Sequence, residues 1–102
     1  MTRRFRLTAP AQTDLIEALD YLAEHASVSI ALKYDARLRS AVADLTSGLA
    51  IGHRRPDLTE HPVLFHTVWP YLIIFAQEID GILIHAVVHG ARDFAAIARD
   101  RL

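Results

Sequence analysis

The apolar positions change period once along the chain, and the change divides it into two halves. Phe5 to Thr8 alternates apolar and polar residues over a short run, the pattern of a strand. Thr8 can cap the helix that follows, and Pro10 suits its first turn, where a missing N–H costs little. Leu15, Leu19, Leu22 and Ala26 then recur at helical spacing, with Ala11, Ile16 and Ala18 beside them. Asp14, Glu17, Tyr21 and Glu24 recur at the same spacing on another side, an acidic stripe whose ordinary reading is a solvated face. Ser27 or Ser29 starts a second helix, with Tyr34, Leu38, Ala41, Leu45 and Leu49 along one side and Lys33, Arg37 and Ser40 off it. Gly48 stands where its C-terminus is expected. The connection is very short, so the helices are expected as an antiparallel hairpin.

Ala50 to Pro62 reads as loop, and after it the period becomes that of strands. Val63 to Trp69 is one strand, ended by Trp69-Pro70. Tyr71 to Gln77 is apolar on both faces, which marks a central strand. Asp80-Gly81 is a hairpin turn signal, and Ile82 to His89 is the next strand. Gly90 breaks it, and Arg92 to Leu102 can form a short terminal helix. The order predicts an α+β fold in a single domain over residues 1–102. It comprises an N-terminal strand, a helical hairpin on a three- to four-stranded antiparallel sheet, and a short C-terminal helix. The hairpin covers one face of the sheet, and the other is expected to stay open to a partner or solvent.

Composition narrows the class. A chain of 102 residues suits one domain, and 52% hydrophobic residues with a net charge of −1 argue against disorder. The absence of cysteine removes disulfide frameworks and thiolate metal sites and fits a cytoplasmic protein. Ten of the eleven basic residues are arginine, yet the balance lacks the basic excess of a general nucleic-acid binder, so direct nucleic-acid binding is not expected. The longest apolar run, Tyr71 to Ala76, is far below the roughly 18–20 residues of a membrane span. No apolar stretch of about 7–15 residues follows Arg3-Arg4, so a signal peptide is not expected.

Chemical motifs are sparse. There is no glycine-rich phosphate loop, nucleophile elbow or His-Glu-x-x-His helix. His85 and His89 stand four apart on one strand, on the same expected face, hence about 13 Å apart and too far to share a zinc ion. His61 and His66 have no ligand-like spacing. No catalytic residue, metal or cofactor is therefore assigned. Arg54-Arg55 lies in the loop between helix and sheet, where arginines are ordinarily solvated. Arg92-Asp93 can cap the final helix. Arg54, Arg55, His66, His89 and Arg92 form a candidate target-contact set provided they converge on one end of the sheet.

Five segments in order resemble the ParE branch of the RelE/ParE toxin superfamily. Leu7-Thr8-Ala9-Pro10-Ala11-Gln12-Thr13-Asp14-Leu15 is similar to the family's opening strand and helix with its Ala-x-x-Asp-Leu pattern. Asp20-Tyr21-Leu22-Ala23-Glu24-His25 resembles the end of its first helix. Gly52-His53-Arg54-Arg55-Pro56-Asp57-Leu58 resembles its Gly-x-x-Arg-Pro-Asp-Leu loop. Tyr71-Leu72-Ile73-Ile74-Phe75 is similar to its central strand, and Val87-Val88-His89-Gly90-Ala91-Arg92-Asp93 to its closing His-Gly-Ala-Arg-Asp signature. The resemblance implies a helical hairpin on an antiparallel sheet. It also implies the toxin of a type II toxin–antitoxin module, neutralised by a small antitoxin encoded beside it in a hetero-oligomer. Such an antitoxin can bind through an amphipathic helix or by adding a strand to a sheet edge.

Within the superfamily, ParE-type members inhibit DNA gyrase, trap its cleaved DNA complex and block replication, whereas RelE-type members cleave messenger RNA in the ribosome. RNA cleavage needs a base for the 2′-hydroxyl, an acid for the leaving oxygen and a cation for the phosphate. The strand from Leu64 to Val68 is largely apolar, with Leu64 where both branches often carry arginine, and the last ten residues hold no Tyr or His. The gyrase-type reading is favoured on these grounds; the alternatives are a ribosome-dependent endoribonuclease and a homologue that has lost toxicity. Arg54, Arg55, His89 and Arg92 are expected near the functional end. Replacing Arg92 by Ala is expected to reduce growth arrest while thermal unfolding stays near the parent; collapse of the fold would make the residue a structural cap instead.

Overall fold

Thr8 decides where the first strand stops. Its side-chain oxygen accepts a hydrogen bond from the Ala11 N–H at 3.2 Å, and Pro10 occupies the first helical turn. The chain therefore turns from β1 (Arg4–Leu7) into α1 (Ala9–His25). Ser27 repeats the device, accepting from Ile30 N–H at 3.0 Å to begin α2 (Val28–Ser47). Gly48 closes α2 at φ 87°, a left-handed conformation that glycine adopts without strain. Because the helix ends there, Leu49 does not continue its apolar side as the spacing predicts; it is 83% exposed. Ile16, on α1, is also exposed.

The second half is β2 (Leu64–Val68), β3 (Tyr71–Glu78), β4 (Gly81–His89) and α3 (Phe94–Arg101). This computed structural model describes residues 3–91 and 94–102. The strands lie in the order β1-β4-β3-β2. β2, β3 and β4 form an antiparallel meander, and β3 is a central strand as its two apolar faces predict. β1 joins the far side of β4 in parallel, Arg4 beside Gly81 and Leu7 beside Ile84, so the sheet is mixed. The α+β architecture is the expected one, and the parallel edge is the departure from a wholly antiparallel sheet. Parallel neighbours need a long crossover, here provided by the hairpin and the first two meander strands.

Both faces of the sheet are covered. Under the helical hairpin lies a core built on Leu38, Leu45, Ile73, Phe75, Ile82 and Ile84, with Ala11 buried at the helix contact. On the opposite face, Val63, Phe65, Ile74, Ala86 and Val88 pack with Ile97 of α3, flanked by Phe94 and Leu102. The rings of Phe65 and Phe94 lie 5.3 Å apart. The second face is therefore closed where the sequence pattern leaves it open. The physical reason is the amphipathic C-terminal helix, which buries its own short apolar stripe there. On the outer side of β2, His53 and Phe65 exchange two backbone hydrogen bonds, at 2.9 and 2.8 Å.

At the hairpin between β3 and β4, Gly81 leaves room for β1. A Cβ there would fall 1.5 Å from the Arg4 carbonyl oxygen. Only a residue without one lets the two backbones meet. Gly81→Ala is expected to destabilise the fold by about 3 kcal/mol, the upper part of the usual overpacking range. Amide exchange at Phe5–Leu7 should accelerate first. Urea unfolding and hydrogen exchange check this, and an unchanged midpoint would show that β1 docks without the contact.

Candidate functional site

The end of β4 is built around a register shift. Ile74 faces Ala86 and Phe75 faces Ile84, which leaves His85 without an opposite residue. An extra residue in one strand reverses the side on which later residues stand. Ile82, Ile84 and Val87 accordingly belong to the hairpin-side core, whereas Ala86 and Val88 belong to the core under α3. His85 and His89 lie on either side of the shift, so their spacing no longer places them on one face, contrary to the regular-strand expectation. His85 is half-buried, and burial pushes its ring below the usual histidine range, partly opposed by the nearby Glu78 carboxylate.

The shift also leaves backbone groups to be satisfied. β1 stops opposite Ile84, so beyond that point β4 has no strand on its outer side. The Val87 N–H donates instead to the Asp14 carboxylate at 3.0 Å. Arg101 of α3 holds the same carboxylate with both terminal nitrogens, Nη2 donating to Oδ1 at 2.8 Å and Nη1 to Oδ2. The His85 carbonyl accepts from the Thr8 hydroxyl and from Arg101 Nη1, each at 3.4 Å. Asp14 is thus 6% exposed rather than part of a solvated stripe. The hydrogen bond to Asp14 raises the Arg101 guanidinium above its ordinary range, against the opposing effect of burial. The position was readable in part, because Ala11, Asp14, Ala18 and Leu22 share helical core spacing. Arg101 carried no comparable signal.

Two grooves meet at His89. One, of about 470 Å³, runs between α1 and the sheet, walled by Ala18, Tyr21, Leu22, Pro70, Tyr71 and Val87. The other, of about 570 Å³, lies on the α3 side and is lined by Arg55, Asp57, Leu72, Gly90, Phe94 and Ile97. The His89 ring meets Tyr71 edge-on at 5.9 Å, and its Nδ1 accepts from the Ala91 N–H at 3.1 Å. In the neutral ring this leaves the proton on Nε2. Burial raises the Tyr71 hydroxyl, with the phenols of Tyr34 and Tyr21 adding to the shift.

Of the five candidate contact residues, the structure brings Arg55 and His89 onto one groove. Arg55 is held by Asp57 through Nε at 3.0 Å and Nη2 at 2.8 Å; the pair lowers the Asp57 carboxyl and raises the guanidinium. Arg54 is exposed on the same loop and donates to the Glu60 carbonyl at 3.5 Å. His66 is half-buried at the register position opposite Ile73 and lines neither groove. Arg92 lies outside the described residues. Leu64, at the place where the family often has arginine, packs half-buried against the hairpin-side core.

The family model described as the ParE toxin of the type II toxin–antitoxin system parDE matches residues 5–94. The chain belongs to the ParE toxin family. A solved structure titled "Chromosomal ParDE TA system from P. aeruginosa" is similar in fold, with a TM-score of 0.68 at 24% identity, covering 86% of this chain and 96% of that one. A comparison with curated proteins gave no match. In this ParE-family chain the resembling segments meet in space. The opening helix supplies Asp14, the loop supplies Arg55, and the closing strand supplies Val87 and His89, all at one end of β4. No helix among the described residues is long and apolar enough to cross a membrane.

Removing one partner of a buried ion pair leaves the other charge without compensation. Arg101→Ala is therefore expected to destabilise the ParE-family fold by about 3 kcal/mol in urea unfolding. Asp14→Ala with Arg101→Ala should be less damaging than the sum of the single changes. Strict additivity would show that the two side chains do not act as a pair.

Proposed function

We propose that this chain is the toxin of a type II module that grips a protein target, DNA gyrase, in the cytoplasm, and that a cognate antitoxin neutralises it. The observation that carries the reading is the state of its arginines. Five of the ten are paired with carboxylates among the described residues: Arg6 with Glu78, Arg39 with Asp35, Arg55 with Asp57, Arg99 with Asp100 and Arg101 with Asp14. Guanidinium groups already matched to carboxylates on the same chain offer little to a phosphate backbone. The strand from Leu64 to Val68 sends alternate residues into the two cores, with Leu64 and Val68 on the hairpin side and Phe65 beneath α3. Among the described residues, no interaction joins an acid, a base and a free cation around one point, as RNA cleavage requires. Exposed apolar side chains such as Ile16, Leu32, Trp69 and Ile79 suit surfaces that partners cover.

The target contact is assigned to the groove shared by Arg55 and His89, with Arg54 on its loop and Arg92 and His66 as further candidates. The purified chain is expected to inhibit supercoiling by purified gyrase and to accumulate the cleaved DNA complex. Arg55→Ala combined with His89→Ala should weaken inhibition about tenfold, the scale of one good interface contact. Thermal unfolding should stay close to the parent, since both side chains are exposed. No inhibition at several-fold excess, with ribosome-bound message cut between codon positions, would replace this reading with the ribonuclease one.

A further inference from the structure

The groove between α1 and the sheet has an aromatic wall and an acidic rim. Tyr71 is buried in its wall, and its ring meets Tyr34 and His89 edge-on, each at 5.9 Å. Tyr21 stands at the rim, 60% exposed and stacked on His25 at 4.2 Å. Beside it is Glu17, exposed, with no hydrogen bond or ion pair among the described residues, though near enough to Arg101 to favour its charge. Asp14, deeper in the groove, has both oxygens committed to Arg101 and the Val87 N–H. Asp20 and Glu24 are exposed further along α1 and do not line the groove.

Aromatic faces carry negative potential, and a carboxylate at their edge adds to it. An anion entering here would meet the Glu17 carboxylate. A neutral apolar side chain would fill the walls but leave the field unused. A cation satisfies both. Within the chain, Arg37 already places its guanidinium carbon 5.1 Å from the Tyr34 ring centroid. A planar guanidinium stacks on rings and forks onto a carboxylate, which a compact ammonium does not do.

We propose that this groove seats an arginine side chain of a partner protein, its guanidinium stacked on the exposed Tyr21 ring and bonded to the Glu17 carboxylate. The site adjoins the Arg55 groove at His89, and its test needs neither gyrase nor an antitoxin. N-acetyl-arginine amide, titrated into the full chain and followed by the NMR resonances of the Tyr21, Tyr71 and His89 rings, should bind saturably in the millimolar range. The neutral isostere N-acetyl-citrulline amide should bind about tenfold more weakly, because it lacks the charge that the rings and carboxylate read. Glu17→Gln and Tyr21→Ala, both at exposed positions, should each weaken arginine binding several-fold while leaving the unfolding midpoint in place. Equal binding of the two probes, unchanged affinity in Glu17→Gln, or shifts located away from these rings would overturn the proposal.

Discussion

One carboxylate joins three elements that contribute nothing to one another's hydrogen-bond ladders. Asp14 belongs to α1, the N–H it accepts belongs to β4, and the guanidinium clamped on it belongs to α3. A charge buried alone would be strongly unfavourable, and a strand N–H buried without an acceptor would also be costly. Each group removes the other's penalty. The need arises from topology, because β1 ends at Leu7 and the chain must enter α1 before β4 is fully flanked. Where the strand runs out, a helix side chain takes over its role. Arg101 then completes the carboxylate's partners and fixes α3 across the second face of the sheet.

The consequence is a sheet covered on both sides by a chain of modest length. β3 can be apolar on both faces only because the hairpin closes one and α3 the other. Phe65 against Phe94 and Ile97 against the strand side chains make α3 part of the core rather than an appended tail. Arg99 and Arg101 in its last turn sit at the negative end of the helix dipole, so the residue that clamps Asp14 also suits its position in the helix.

Local chemistry in the sequence accounts for most of the elements. Thr8 and Ser27 are caps, Gly48 is a terminator and Asp80-Gly81 is a turn, and each acts through neighbours a few residues away. What escaped that reading depends on groups brought together by the fold. A bulge at His85 leaves no mark in hydrophobic periodicity, because a strand apolar on both faces looks the same before and after a one-residue shift. Asp14 lies at core spacing, yet a carboxylate among alanines and leucines reads as solvated until Arg101, 87 residues away, is placed against it. The loop and closing-strand signatures singled out Arg55 and His89 as candidates, and the fold brings these two onto one groove. The aromatic groove stayed hidden because Tyr21, Tyr34 and Tyr71 come from three elements.

The bulge finally determines what His89 can do. In a regular β4, His89 would lie on the same side as His85. One inserted residue carries it, together with Val87, to the hairpin side beside Tyr71, at the last position of the strand, where the hairpin-side groove and the α3-side groove meet. The Ala91 N–H then fixes the ring by bonding its Nδ1, and Tyr71 supports it edge-on. A flexible loop histidine would reach both grooves only at an entropic cost for each contact. This one is held by a strand end, a turn and a buried tyrosine. The device that solves the backbone problem around Val87 therefore also delivers a preorganised side chain to the rim of both grooves.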